Sequence, residues 1–82
     1  MKVYVITIDE VYDFETFNHT PRVFTNKDKA REAFEEIREQ ARIDYAKDGW
    51  EEGYGADYYE MWPDGSWGTS HYGVYLQAIE TE

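Results

Sequence analysis

The residues of this sequence that could do chemistry are concentrated in its second half, residues 49–82. This stretch carries seven of the eighteen Asp and Glu side chains and no Lys or Arg, together with eight of the fifteen aromatic residues. Carboxylates can act as general acids or bases or bind a divalent cation, and Tyr and Trp rings beside carboxylates suit contacts with basic protein surfaces or sugars. Carboxylates interleaved with rings, undiluted by cations, are the distinctive feature of the chain.

The enzymatic interpretations of this half find little support in residue spacing. His19 and His71 are the two histidines, and neither lies in a nucleophile motif or a metal-ligand spacing. Asp57, Glu60 and Asp64 do not have the spacing of a calcium loop. We therefore predict no enzymatic activity, no cofactor and no metal. The alternative is a small catalytic or ligand-binding domain that uses His71 with a nearby carboxylate, although a hydrogen-bonded sheet histidine is the commoner case.

The element that organises the fold is an amphipathic helix, predicted for about residues 26–48. Six apolar residues recur along one of its faces at helical spacing. They are Ala30, Ala33, Phe34, Ile37, Ala41 and Tyr45. Thr25 and Asp28, three residues apart, predict a capping box at the helix start, and Gly49 predicts its end. The helix therefore has one face to bury against a sheet.

Four strands are predicted around this helix from their apolar patterns and the turn residues between them. They cover residues 1–12, 22–24, 58–62 and 67–79, with a polar connection over 14–21, a flexible acidic connection at 51–55 and a Pro-Asp-Gly-Ser turn at 63–66. The predicted fold class is therefore α+β, a two-layer ββαββ arrangement with one helix on one face of an antiparallel sheet of three to four strands. Residues 1–82 form a single small acidic domain on this prediction.

The second face of such a sheet has no helix to cover it, so aromatic side chains there would meet water or a partner. We expect some of Tyr58, Trp62, Trp67 and Tyr72 to stay exposed on that face. The predicted protein-binding surface is the acidic aromatic hairpin between Asp57 and Tyr75. Its candidate residues are Asp57, Tyr58, Glu60, Trp62, Asp64, Trp67 and Tyr72. If all four rings were buried, the aromatics would instead be the core of the domain and the acids its rim.

The net charge of -10 narrows the class of partner. It repels phosphate backbones and anionic membranes, which predicts no direct nucleic-acid contact and no membrane contact, and it favours a basic protein surface. The chain has no cysteine, no secretory signal and no apolar run near the roughly 20 residues of a membrane span, which favours the cytoplasm. Self-association of the aromatic sheet face into a homodimer is the structural alternative.

In size and acidity the chain resembles the small inhibitors that phages and other mobile elements use against DNA-handling enzymes, including anti-CRISPR proteins and uracil-glycosylase inhibitors. The resemblance is one of composition and includes no motif. It implies a bacterial or phage protein that mimics nucleic acid, with carboxylates and tyrosines in the phosphate- and base-binding groove of its target. The expectation is thus a non-enzymatic acidic protein-binding domain, in its sharper form an inhibitor of a basic DNA- or RNA-handling protein.

Overall fold

The computed structural model of the protein describes residues 1–45, 50–63 and 70–81. The described elements follow one another as β1 (Lys2–Tyr12), β2 (Glu15–Phe17), β3 (Arg22–Phe24), α1 (Lys27–Tyr45), β4 (Trp50–Tyr54), β5 (Tyr58–Pro63) and β6 (His71–Glu80). Several sequence-based expectations lie outside the described residues. They are the helix end at Gly49, the turn after Pro63, and the candidate site residues Asp64 and Trp67.

All strands belong to one antiparallel sheet with the order β2-β1-β6-β5-β4, and β3 also pairs with β1. The pairing of β1 with β6 is the longest, from Lys2 opposite Glu80 to Val11 opposite His71. The near-continuous apolar run of β1 predicted a central strand, and β1 does lie between β6 and the two short strands. The two-layer α+β class is confirmed, with six described strands where three to four were expected.

The two additional strands were predicted as connections. β2 follows β1 through a two-residue turn at Asp13 and Phe14, whose φ angles of 51° and 68° fit a tight hairpin. Asp13 is a residue type that such turns favour, but Phe14 stands where glycine is usual. β4 carries Glu51, Glu52 and Gly53, which have low strand propensity, but pairing with β5 along its whole length overrides that preference.

The helix begins one residue later than the predicted capping box. The side-chain Oδ1 of Asn26 accepts a 3.0 Å hydrogen bond from the Lys29 backbone N–H, so Asn26 is the N-cap and the assignment to Thr25 was wrong. The apolar stripe is confirmed, since its residues are buried or pack on the core. Buried are Ala30, Ala33, Phe34 and Ala41, and packed against the core are Ile37 and Tyr45.

The core lies between α1 and the sheet, and aromatic residues of the acidic half supply much of it. Tyr59 and Met61 of β5 are buried there with Val74 of β6. Tyr72 is only 7% exposed and stacks on Tyr45 of α1 with ring centroids 5.3 Å apart. Of the four rings of which some were expected to stay exposed on the far sheet face, Tyr58 is 40% exposed, whereas Tyr72 lies in the core, so its inclusion among the candidate binding residues was wrong. Residues two apart on a strand share a face, so Tyr72 must follow Val74 toward the helix.

No helix in the described part of the chain is long and apolar enough to cross a bilayer.

Candidate interaction surface

The candidate site is the face of the sheet opposite α1, here called the open sheet face. Strand alternation and register decide which side chains belong to it. Asp9, Gly73 and Glu60 stand side by side on β1, β6 and β5, with Gly53 of β4 next to Glu60. The neighbouring row consists of Thr7, Tyr75 and Tyr58. Among the described residues α1 is the one helix, and it packs on the other face.

Three aromatic rings on this side of the sheet each lie close to a glycine. The pairs are Trp62 with Gly53, Tyr58 with Gly55 and Tyr75 with Gly73. A Cβ atom on Gly73 would lie 2.8 Å from Cε2 of Tyr75, so a side chain there is incompatible with the ring position. At Gly53 the corresponding distance to Cη2 of Trp62 is 3.3 Å. The glycines therefore leave the space that the rings occupy, because a side chain at these positions would meet the ring atoms.

Each of three carboxylates on the open sheet face has an aromatic side chain as its hydrogen-bond partner. The contacts are Trp62 Nε1 to Glu51 Oε2 at 2.8 Å, Tyr75 Oη to Glu60 Oε2 at 2.6 Å, and His71 Nε2 to Asp9 Oδ2 at 3.0 Å. The described strand residues that point to this face include no Lys or Arg. The interleaving of acids and rings in the sequence thus becomes a set of carboxylates that are held by hydrogen bonds from neighbouring ring side chains.

The Tyr75–Glu60 contact has a clear electrostatic basis. Burial raises the pKa of Tyr75 above its ordinary value, and the hydrogen bond to Glu60, the charge of Glu60 and the charge of Asp9 raise it further. Tyr75 therefore stays a neutral hydrogen-bond donor across the neutral pH range. The negative charge at this position belongs to the carboxylates alone.

The catalytic alternative requires that His71 line a pocket and lie within hydrogen-bond reach of a carboxylate, and His71 meets the second condition. Its ring is within hydrogen-bond distance of the Asp9 carboxylate. However, His71 is only 8% exposed. It does not line any of the four cavities found in the described part of the chain. The described residues also contain no group of three or more His, Asp or Glu side chains that could hold a metal ion. This geometry suits a packed histidine that joins β6 to β1.

The predicted site residues fall into three groups. On the open sheet face lie Tyr58, which is 40% exposed, and the partly exposed Glu60 and Trp62. Asp57 lies apart from them and forms a 2.7 Å ion pair with Arg31 of α1. Tyr72 lies in the core. The list of candidate residues did not include four residues of this face. They are Asp9, Glu51, His71, which was considered only for catalysis, and Tyr75, which was named only as the end of the hairpin.

A signal for part of this set was present in the sequence. Gly53 and Gly73 stand inside runs that otherwise pair as strands, and a strand glycine often marks a close approach by another group. The contribution of Asp9 had no local signal, since it meets His71 across 62 positions of sequence.

Comparison of the chain with protein-family models, with curated proteins and with solved structures gives no match. The functional argument therefore rests on the chemistry of this face.

Proposed function

We propose that the protein is a non-enzymatic binding domain whose open sheet face holds a basic protein surface. The observation that supports this most is the alternation of aromatic rings with hydrogen-bonded carboxylates on a face whose described strand residues include no Lys or Arg. A guanidinium group stacks on a ring face and donates to a carboxylate at the same time, so arginine-rich surfaces match this arrangement. The net charge of -10 speeds encounter with such a partner.

The rings and acids of this face are held in place before any partner arrives. Trp62 is fixed by Glu51 and by its contact with Gly53, and Tyr75 is fixed by Glu60. Binding therefore costs little of the side-chain entropy that flexible contact residues lose. Tyr58, the most exposed of the three rings close to glycines, supplies accessible apolar area. Pre-organisation favours a binding role over a purely structural one.

In its sharper form the proposal makes the partner a basic protein that handles DNA or RNA in the cytoplasm of a bacterium. Carboxylates spaced along a sheet would occupy the positions at which such a protein binds phosphates, and the adjacent rings would occupy the positions at which it binds bases. The protein would then act as an inhibitor by occupying the nucleic-acid groove.

Self-association is the second candidate, favoured by one observation. Val23 of β3 and Ile79 of β6, both on the open sheet face, are exposed large apolar residues at its β3 end. Two copies placed face to face would bring like charges together, which costs free energy at low salt. We therefore place the basic partner first and make the dimer an outcome of the test.

The experiment titrates an arginine-rich peptide into isotope-labelled protein at low and at moderate salt and follows the amide and indole N–H resonances. The double variant Glu51→Gln/Glu60→Gln removes two charges from the open sheet face. The matched control Glu35→Gln/Glu39→Gln removes two exposed charges from α1. We expect shifts at Trp62, Gly53 and Gly73 that weaken with salt, and a larger loss of affinity in the first variant.

Two results would overturn the proposal. Equal losses in the two double variants would mean that bulk charge alone attracts the peptide. Absence of shifts on the open sheet face would remove this surface as the contact site. Sedimentation of the free protein at rising concentration separately reports whether the face pairs with a second copy.

A further inference from the structure

A second feature, distinct from the open sheet face, lies on the helix side of the sheet, where α1 approaches β1, β2 and β4. It is a cleft of about 450 Å³, here called the helix-end cleft. Its lining residues are Glu10, Tyr12, Phe17, Asp44, Tyr45 and Trp50. Four aromatic residues and two carboxylates thus line one concave site. The proposed function involves none of these residues.

The walls of the helix-end cleft are aromatic rings that are partly open to water. Tyr12 is 54% exposed and Phe17 is 43% exposed. On the other side, the rings of Tyr45 and Trp50 meet with centroids 5.7 Å apart. Rings on both sides of an open space offer their faces and edges to a group that enters it.

The charges of the cleft come from Glu10 and Asp44. The Glu10 side chain is only 12% exposed and accepts hydrogen bonds from Tyr45 Oη and, at 2.6 Å, from His19 Nε2. Asp44 accepts a 3.0 Å hydrogen bond from Gln40. Both carboxylates also act on Tyr72 beneath the cleft, where burial and then their charges raise its pKa to about 12. The described lining residues include no Lys or Arg.

We infer that the helix-end cleft binds the cationic side chain of a basic residue. A cation gains from the faces of surrounding rings and from the charges of the two carboxylates. An uncharged polar group lacks the charge attraction, and an anion is repelled by both carboxylates. The inference rests on the proposed function in that the same basic partner supplies the cation. The cleft then anchors one side chain of that partner, while the open sheet face contacts its broader surface.

The test uses small probes, so that it stands apart from protein binding. N-acetyl-arginine amide, N-acetyl-lysine amide and the uncharged N-acetyl-citrulline amide are each titrated into isotope-labelled protein. We expect the two cations to shift the resonances of the Trp50 indole N–H and of the Glu10 and Phe17 amides. Citrulline amide should leave these resonances unchanged. The ratio of the two cation affinities tells whether the site prefers a guanidinium or an ammonium group.

Two variants and two matched controls identify the site. Phe17→Ala and Asp44→Asn should each weaken cation binding about fivefold. Phe14→Ala removes a ring that is exposed on the adjacent turn, and Glu39→Gln removes a charge from the exposed side of α1, so both should leave the affinity unchanged. Retained amide shifts for Ile6 and Val74 show that each variant keeps its core.

The outcomes separate this inference from the proposed function. The Glu51→Gln/Glu60→Gln variant should still bind the small cations, because those residues lie on the opposite face. If citrulline amide shifts the same resonances as the cations, or if Phe17→Ala and Asp44→Asn bind as the wild type does, the inference is overturned. Peptide binding to the open sheet face would survive that result.

Discussion

The Tyr75 hydroxyl donates a 2.6 Å hydrogen bond to the Glu60 carboxylate across the β5–β6 pair. The two residues are not directly opposite each other, since Glu60 faces Gly73 and Tyr75 faces Tyr58. The Tyr75 ring reaches its acceptor by lying close to Gly73, two residues back on its own strand. One small residue thus sets the position of a ring and of the carboxylate that the ring orients.

We predict that Gly73→Ala destabilises the protein by about 1–3 kcal/mol, because the new methyl group collides with the Tyr75 ring in a buried, packed position. Chemical denaturation measures the free energy of unfolding. Gly53→Ala is the matched comparison, since its Cβ would approach Trp62 less closely and the partly exposed indole can shift. A loss of stability as large at Gly53 as at Gly73 would contradict this account of the ring positions.

We predict that stability falls steeply at alkaline pH. The pKa of Tyr72 is raised to about 12, and burial and neighbouring carboxylates also raise the pKa values of Tyr59 and Tyr75. The folded state holds these protons more tightly than the unfolded chain, whose tyrosines have a pKa of about 10, so the stabilising effect is complete below pH ~10. It is lost as the pH rises through the folded-state values, at up to ~1.4 kcal/mol per pH unit for each tyrosine.

Denaturation midpoints measured from neutral to strongly alkaline pH check this prediction. Tyr72→Phe removes one of the titrating groups, so stability should fall less steeply with pH in this variant. The comparison is made relative to the stability of each protein at neutral pH. A decline of unchanged steepness in that variant would show that Tyr72 does not contribute to it.

We predict that Asn26→Ala costs about 1 kcal/mol of stability and that Thr25→Ala costs much less. The Asn26 side chain satisfies the backbone N–H of Lys29 at the start of α1, which alanine cannot do. Thermal and chemical unfolding of the two variants give the comparison. A larger loss of stability in Thr25→Ala than in Asn26→Ala would mean that Thr25 is the N-cap.

These residues also show how far the sequence determines the fold. Helical spacing located α1 and its buried stripe because an amphipathic pattern is a local property of the chain. The strands β2 and β4 were missed because they are short and lie in stretches whose acidic, polar and glycine residues are typical of loops, and the strands exist through pairing with β1 and β5. Local propensity alone does not contain that information.

The candidate surface was predictable to a smaller extent. Tyr58, Glu60 and Trp62 alternate on one strand, so their common face follows from strand geometry. Tyr72 was assigned to the wrong face because the alternation of Val74 and Leu76 was not extended back along β6. Asp9 and Glu51 enter the surface only through strand pairing, which brings together residues with no sequence relation to the hairpin.

We predict that Asp57→Asn and Glu60→Gln, which each remove one negative charge, differ in their effect on binding. Asp57 is paired with Arg31, and the pair is exposed enough that its loss costs at most about 1 kcal/mol of stability. Glu60 lies on the open sheet face beside the rings of Tyr75 and Trp62. Glu60→Gln should therefore weaken binding of an arginine-rich peptide about fivefold at low salt, while Asp57→Asn changes it little. Titration calorimetry of the two variants measures both affinities, and equal losses would show that the peptide responds to net charge rather than to the arrangement of this face.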